Sequence, residues 1–308
     1  MSNYVLNCPQ AKKLTKKANE VTKMTIKEYY MSDKEDVLSA ESVSAHLSGA
    51  ASKLKIEVHN VLDSTNRAVR ELAINGEPEG KVIIALEQTA GRGRKNRAFF
   101  SPCETGIYMS VLLRPQMAAT DAALITTAAA VATAQAIEKH TSKQAQIKWV
   151  NDIFVDGKKV CGILTEAGLS TETAMLDYAV LGIGVNVTSP KDGFPQELTD
   201  IATSLFEHGK IKNIRSVIAA DILNIFMDYY GNLAEREYMD EYKKRLFILG
   251  EKITVFQGDS VRSATALDIN DDCHLLVQYD DGTKEYLVGG EIYRVCAGAR
   301  PMLHRSFM

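Results

Sequence analysis

Four cations crowd into six residues at Arg92, Arg94, Lys95 and Arg97, interleaved with Gly91 and Gly93. Arginine presents paired N–H donors to phosphate or carboxylate. Glycine is costly to order in helix or strand and lets a backbone come close to a ligand. The stretch Thr89–Arg97 therefore reads as a flexible cationic loop that can fold over a polyanion and exclude water. Composition alone allows a solvated basic turn instead. The loop is not a Walker A segment, which needs GxxxxGK[ST], and it lacks GxGxxG.

A second cluster sits in KWVNDIFVDGKKVCGIL. Lys148, Asn151 and Asp152 stand at the end of a predicted strand, and Asp156-Gly157 has the chemistry of a tight two-residue turn. Across that turn Lys159 returns opposite Phe154, about two residues from Asp152. Such a pair is either a surface contact of little weight or the charged centre of a site. Trp149, the single tryptophan, reads as core. GIGVN (182–186) offers close backbone approach plus an amide, or simply a buried strand relieved by glycine.

The elements that must hold these groups follow from patterning. KVIIALE (81–87) and GIYMSVLL (106–113) are strand-like and bracket the loop. DSTN (63–66) reads as a helix start in which Asp63 or Ser64 caps a first-turn amide. Thr120 opens an alanine-rich helix to about Lys139. QIKWV (146–150), the Asp-Gly hairpin and Met175–Val187 continue the sheet, and helices fill 214–249. After Gly250, short strands separated by Gly-Asp, Asn-Asp-Asp and Asp-Asp-Gly suggest a small β-barrel. The class is α+β, with a mixed, mostly antiparallel sheet backed by helices and not a doubly wound fold.

Composition narrows the function classes. A net charge of −3 and a pI near 6.1 give no global nucleic-acid footprint. Five cysteines without a CxxC and six scattered histidines spell no zinc site and no disulfide framework. No signal-peptide core opens the chain, and no arginine precedes Arg67, against a transit peptide. The most apolar stretch, Ala122–Ile137, is interrupted by Thr126, Thr127, Thr133 and Gln135, so no membrane span is expected. The expectation is a soluble, cytoplasmic protein.

Taken together, DSTN (63–66), EQTAGRGRKNRAFFSP (87–102), KWVND (148–152), KKVCGILTE (158–166), GIGVNV (182–187) and GGEI (289–292) resemble the biotin protein ligase family, in the family's order, over about residues 55–295. The resemblance implies a catalytic domain like that of class II aminoacyl-tRNA synthetases over 51–249. It also implies an SH3-like barrel in 250–308 and an N-terminal segment, 1–50, that is a remnant or truncated winged helix. The implied reaction is two-step. Biotin and ATP, with Mg2+, give biotinyl-5'-adenylate and pyrophosphate; a lysine of a biotin carboxyl carrier protein then takes the biotin and expels AMP. No tightly bound cofactor is implied.

By the same resemblance, Ser64, Thr65 and Gln88 meet the ureido end of biotin and Leu164 walls its ring. Asn66, Gly91, Gly93 and Gly182 complete that pocket. Arg92 and Arg94 clamp the carboxylate and α-phosphate, and Lys159 sits on the same oxygens. Asp152 orients Mg2+ or the incoming amine; Asn151, Asn186, Phe99 and Arg97 face the nucleotide. Lys159, Arg94 and Asp152 form the implied catalytic set. Three positions depart from the family: Val150 where many relatives have proline, Asn96 for a common glycine, and Phe99 for a frequent tryptophan. Val150 is expected to be tolerated at a strand-end turn. The resemblance also implies a homodimer. Residues 25–47 resemble the end of a winged-helix DNA-binding domain, with a strand around Thr25–Met31 in the wing and a following helix as its exit. The alternatives are a biotin-responsive repressor that binds DNA, a lipoate ligase, whose RRxSGGGAVxHD-type segment is here replaced by AGRGRKNR, and a binding module without catalysis.

Overall fold

The computed structural model describes residues 38–209, 214–258 and 260–294; the side chains of Asn96 and Arg294 lie outside that set. The strand expected around Thr25–Met31, and with it most of the suspected winged helix, falls outside the described residues. The helix expected to follow it is present as α1 (Ala40–Ser44), closed by a Ser39/Ser42 capping box.

Seven strands form the main sheet: β1 (Lys55–Leu62), β2 (Lys81–Gln88), β3 (Gly106–Leu113), β4 (Gln146–Lys148), β5 (Asp152–Val155), β6 (Lys158–Leu169) and β7 (Leu176–Asn186). Their spatial order is β1-β2-β3-β7-β6-β5-β4. Only β1 and β2 run parallel, because α2 (Thr65–Ile74) carries the chain between them. The other pairs are antiparallel, as short turns and a returning helix demand. Asp156 and Gly157 adopt positive φ of 52° and 77°, and Lys159 pairs with Phe154 as the turn chemistry requires.

One face of the sheet is covered by α3 (Ala122–His140), packed in turn on α4 (Arg215–Gly231) and joined by α5 (Met239–Arg245). The alanines of α3 keep that helix close to the strands, and thirteen of its residues are buried. By length and composition α3 with its leading turn could cross a bilayer, but it is a mostly buried core helix. α2 covers part of the other face through Val69 and Ala73, against Ile83, Leu112 and Val180. Strands covered on both sides read as continuous apolar runs, and every residue of β3 is buried.

Three local expectations need correction. The long helix starts at Ala122, because residues 119–121 form a tighter 3-10 turn. β4 stops at Lys148 rather than Val150, and a turn with a cis Trp149–Val150 bond follows. Neither Asp63 nor Ser64 caps a helical amide: Asp63 Oδ1 accepts from the Ser64 amide at 2.6 Å. The first helical amide, on Thr65, donates instead to Gln88 Oε1 from the end of β2, at 2.8 Å.

A second antiparallel sheet, ordered β11-β10-β9-β8-β12, comprises β8 (Lys252–Gln257), β9 (Ser260–Ile269), β10 (Leu275–Tyr279), β11 (Lys284–Leu287) and β12 (Glu291–Arg294). It is pinned to the first unit by a buried bond. The indole N–H of Trp149, 3% exposed, donates to the Cys273 carbonyl at 2.9 Å. Trp149→Phe keeps an aromatic ring, smaller than the indole, and strands that carbonyl, so a loss of at least about 1–3 kcal/mol is expected as a lower urea midpoint. An unchanged midpoint would show that the bond contributes nothing.

Candidate active site

Where α2 leaves the sheet uncovered, the register brings glycines together. Gly184 pairs with Tyr108 and with Gly162; Gly182 pairs with Ser110 and with Leu164. A Cβ at Gly184 would stand 2.6 Å from the Phe99 ring, and one at Gly182 would stand 1.9 Å from Asn66 Oδ1. The glycines thus admit Phe99 from the cationic loop and Asn66 from α2 onto bare backbone. A cavity of about 160 Å³ opens between sheet, loop and β12.

The loop is more ordered than its composition predicts. The Gly93 amide donates to Arg97 O at 2.7 Å, Arg92 bridges to Ala98, and residues 94–96 make a 3-10 turn with Lys95 at a φ of 55°. Its cations are distributed. Arg92 Nη1 lies 3.2 Å from Glu166. Arg97 Nη2 donates to Glu291 and to the Tyr293 hydroxyl, at 2.9 and 3.2 Å. Burial works against its charge, yet Tyr293 and Glu291 hold the Arg97 guanidinium above its ordinary range. Arg94 donates to Asn151 Oδ1 at 3.1 Å and to the Gly290 carbonyl at 3.4 Å, with no carboxylate partner among the described residues.

Opposite the loop, Lys159 Nζ stands 2.7 Å from Asp152 Oδ1. That oxygen is buried, and the contact is an ion pair. Lys148 lies 4.5 Å over the Tyr293 ring centre. Burial pushes its ammonium below the ordinary lysine range, Asp152 opposes that shift and Lys159 adds to it. Around the cavity, five cations (Arg92, Arg94, Arg97, Lys148, Lys159) face two carboxylates (Asp152, Glu291). Such a site favours an anion of several charges.

The other end is neutral and directional. The Thr65 hydroxyl lies 3.1 Å from Gln88 Oε1, and Gln88 Nε2 donates to Ser101 Oγ at 3.0 Å. Ser64 is buried, makes no cap bond and bounds the cavity. This end suits a small polar head, with Leu164 as an apolar wall.

Of the residues expected from sequence, Ser64, Thr65, Asn66, Gln88, Arg92, Gly93, Arg94, Arg97, Phe99, Asn151, Asp152, Lys159, Leu164 and Gly182 bound this one cavity. Asn66 does so with its amide fully engaged by Ser110, Leu164 and Glu166. Two do not bound it. Gly91 packs beneath the loop, its carbonyl accepting from the Phe99 amide at 2.9 Å. Asn186 donates to the Thr203 carbonyl at 3.1 Å. Tyr293, Glu291 and Gly290 were missed as site residues, although GGEI was noted as a motif. Among the described residues no cluster of three or more His, Cys, Asp or Glu could hold a metal. Asp152 Oδ1 is covered by Lys159 Nζ at 2.7 Å, so a Mg2+ held at Asp152 would take most of its ligands from a polyphosphate.

Comparisons with known proteins point to one family. Residues 58–186 match the family described as Biotin/lipoate A/B protein ligase, and residues 248–295 match the Biotin protein ligase C terminal domain. The chain is 35% identical over 280 residues to the Bifunctional ligase/repressor BirA of Bacillus subtilis, covering 88% of this chain and 84% of that protein. It is 29% identical over 271 residues to the Biotin--[acetyl-CoA-carboxylase] ligase of Mycobacterium tuberculosis, covering 85% and 94%. In fold it resembles the biotin protein ligase from Aquifex aeolicus in complex with biotin and ATP, with a TM-score of 0.65 at 24% identity, over 79% of this chain and 100% of that one.

Because a methyl group at Gly182 would overlap Asn66 Oδ1, Gly182→Ala is expected to cost about 1–3 kcal/mol, read as a lower thermal or urea midpoint. Wild-type stability in this variant would mean that Asn66 is not fixed where it is described.

Proposed function

The chain belongs to the biotin protein ligase family, and on that premise we propose that it activates biotin with ATP and passes it to a lysine of a carrier protein. The observation that carries the reading is one cavity with a neutral, hydrogen-bonding end at Ser64, Thr65 and Gln88 and a strongly cationic end at Arg92, Arg94 and Lys159. Biotin has a ureido head and a carboxylate tail, and ATP adds a polyanion beside that tail.

In the first step a carboxylate oxygen of biotin attacks the α-phosphorus of ATP, and pyrophosphate leaves. Two anions must approach each other, so the barrier is largely electrostatic. Arg94 and Lys159, fixed beforehand by Asn151, Gly290 and Asp152, would stabilise the charge that develops between them. Arg92 would help hold the carboxylate. Asn151, Phe99, Arg97 and Asp152 would face the nucleotide, Asp152 sharing its Mg2+. In the second step a carrier lysine, as the free amine, attacks the acyl carbon, loses a proton and expels AMP. Asp152 would orient that amine. No covalent enzyme intermediate is needed; holding both reactants in one closed site supplies much of the acceleration.

On this reading residues 51–249 form the catalytic unit and the sheet of residues 252–294 closes over it. The expected boundary at residue 50 needs correction, because Leu38 and Val43 lie in the same core and Ser42 bonds to Ser216 of α4. The carrier would be a biotin carboxyl carrier protein or domain. A homodimer is part of the proposal, supported by β1 as a sheet edge, and so is a cytoplasmic location. A second reading, a repressor that also ligates, is favoured by the bifunctional name of the Bacillus subtilis relative. Retention on DNA at moderate salt would establish it, and passage without retention would remove it. The C-terminal match to a biotin ligase domain weighs against lipoate as substrate.

The deciding assay is pyrophosphate release from ATP with biotin, beside a parallel reaction with lipoate. Release with biotin alone is expected; release with lipoate alone would overturn the substrate, and silence with both would leave a binding module. Lys159→Ala is expected to lower adenylate formation at least ~100-fold with the unfolding midpoint retained. Normal turnover in that variant would remove Lys159 from the chemical centre.

A further inference from the structure

Glu166 has no role in the scheme above, and it does not bound the cavity. It stands on β6 two residues beyond Leu164, hence on the same face of the sheet. Its two oxygens are divided. Oε1 lies 3.2 Å from Arg92 Nη1, and Oε2 accepts from Asn66 Nδ2 at 2.9 Å. Asn66 Oδ1 in turn accepts from the fully buried Ser110 hydroxyl at 2.7 Å. The same Ser110 oxygen lies 2.8 Å from Thr65 Oγ1, whose proton serves that contact while the Thr65 backbone N–H donates to Gln88 Oε1 at 2.8 Å. Gln88 donates to Ser101, and Ser101 Oγ donates to the Phe99 carbonyl at 2.9 Å.

These contacts form one circuit. It leaves the cationic loop at Arg92, crosses the floor beneath the neutral end of the cavity, and re-enters the loop at Phe99. Glu166 is its only charged link to Arg92. Without it, that end of the loop keeps the Arg92–Ala98 bridge and the backbone bonds from the Thr89 and Ala90 amides to the Leu62 and Asp63 carbonyls, but Arg92 loses its side-chain tie to the floor. Polar networks of this kind are worth more than their separate contacts, because each bond fixes the next donor.

We propose that Glu166 is a positioning residue for adenylate formation. It acts through Arg92, holding the loop in register with the Asn66–Thr65–Gln88 wall. The end of the cavity that reads the ureido head and the loop that covers the carboxylate then belong to one hydrogen-bonded unit. This rests on the biotin ligase reading.

Glu166→Gln is the informative variant, because its amide oxygen still accepts from Asn66 while the charge facing Arg92 is gone. Glu166→Ala also strands Asn66 and is expected to lose stability, so it does not carry the test. With the full chain, radiolabelled biotin and ATP, the escape of bound biotinyl-adenylate is followed by filter retention, beside the KM for biotin and the unfolding midpoint. Glu166→Gln is expected to release adenylate about fivefold faster and to raise the KM for biotin, at a near-wild-type midpoint. In an Arg92→Ala background the same change is expected to add nothing further. Wild-type release and KM in Glu166→Gln, or full additivity with Arg92→Ala, would overturn the proposal. A wild-type chain that releases no pyrophosphate with biotin would instead sink the ligase reading and this inference with it.

Discussion

The site depends on a patch of sheet that has no side chains of its own. Gly162, Gly182 and Gly184 lie side by side on β6 and β7, on the face that α2 covers elsewhere. A strand surface normally fills such a face with apolar residues, as Ile83, Leu112 and Val180 do under α2. Here the vacancy lets Asn66 and Phe99 reach the backbone, and each fits only because no Cβ stands in its place. Helix α2 and the cationic loop are therefore seated by the same strip of glycine. Any change in the pairing register by one residue would turn that strip to the other face and fill the cavity with Ile163 and Ile183.

Given that seat, charge becomes the second constraint. Five cations gathered around a small cavity repel one another, and the chain relieves this by giving most of them a partner. Glu166 takes Arg92, Glu291 takes Arg97, Asp152 takes Lys159, and the Tyr293 ring lies under Lys148. These pairs are partly exposed and worth little as stability; their effect is to hold cations where an anion can use them. Arg94 is held by neutral acceptors, Asn151 and Gly290, which keeps its positive charge uncancelled at the centre. That arrangement suits stabilisation of charge in a transition state better than a guanidinium already paired with a carboxylate.

The C-terminal sheet takes part in both constraints. Its Glu291 and Tyr293 contact the loop and Lys148, while the Cys273 carbonyl receives the Trp149 indole N–H. Trp149 adjoins Lys148 and is two residues from Asn151, so a bond in the core between two sheets also sets the strand-end cluster. The second sheet is thus a wall of the site rather than an appendage.

Much of this was legible in the amino-acid order. The strand over 106–113 has the bounds of its continuous apolar run, and those over 252–257 and 260–269 flank the Gly-Asp pair, because run length and turn residues are local properties. The Asp-Gly turn likewise fixed Lys159 opposite Phe154 and so near Asp152. Tertiary structure decided what depends on partners distant in sequence. Gln88, not Asp63 or Ser64, meets the first amide of α2, because β1, which leads into α2, runs parallel to β2 and sets Leu62 beside Gln88. Asn186 turns to Thr203 and away from the cavity, and Glu291, nearly two hundred residues after Arg97, comes to face it. Spacing along the chain sets which residues share a strand face or a turn; which of those faces meet is set by packing, and no local pattern encodes it.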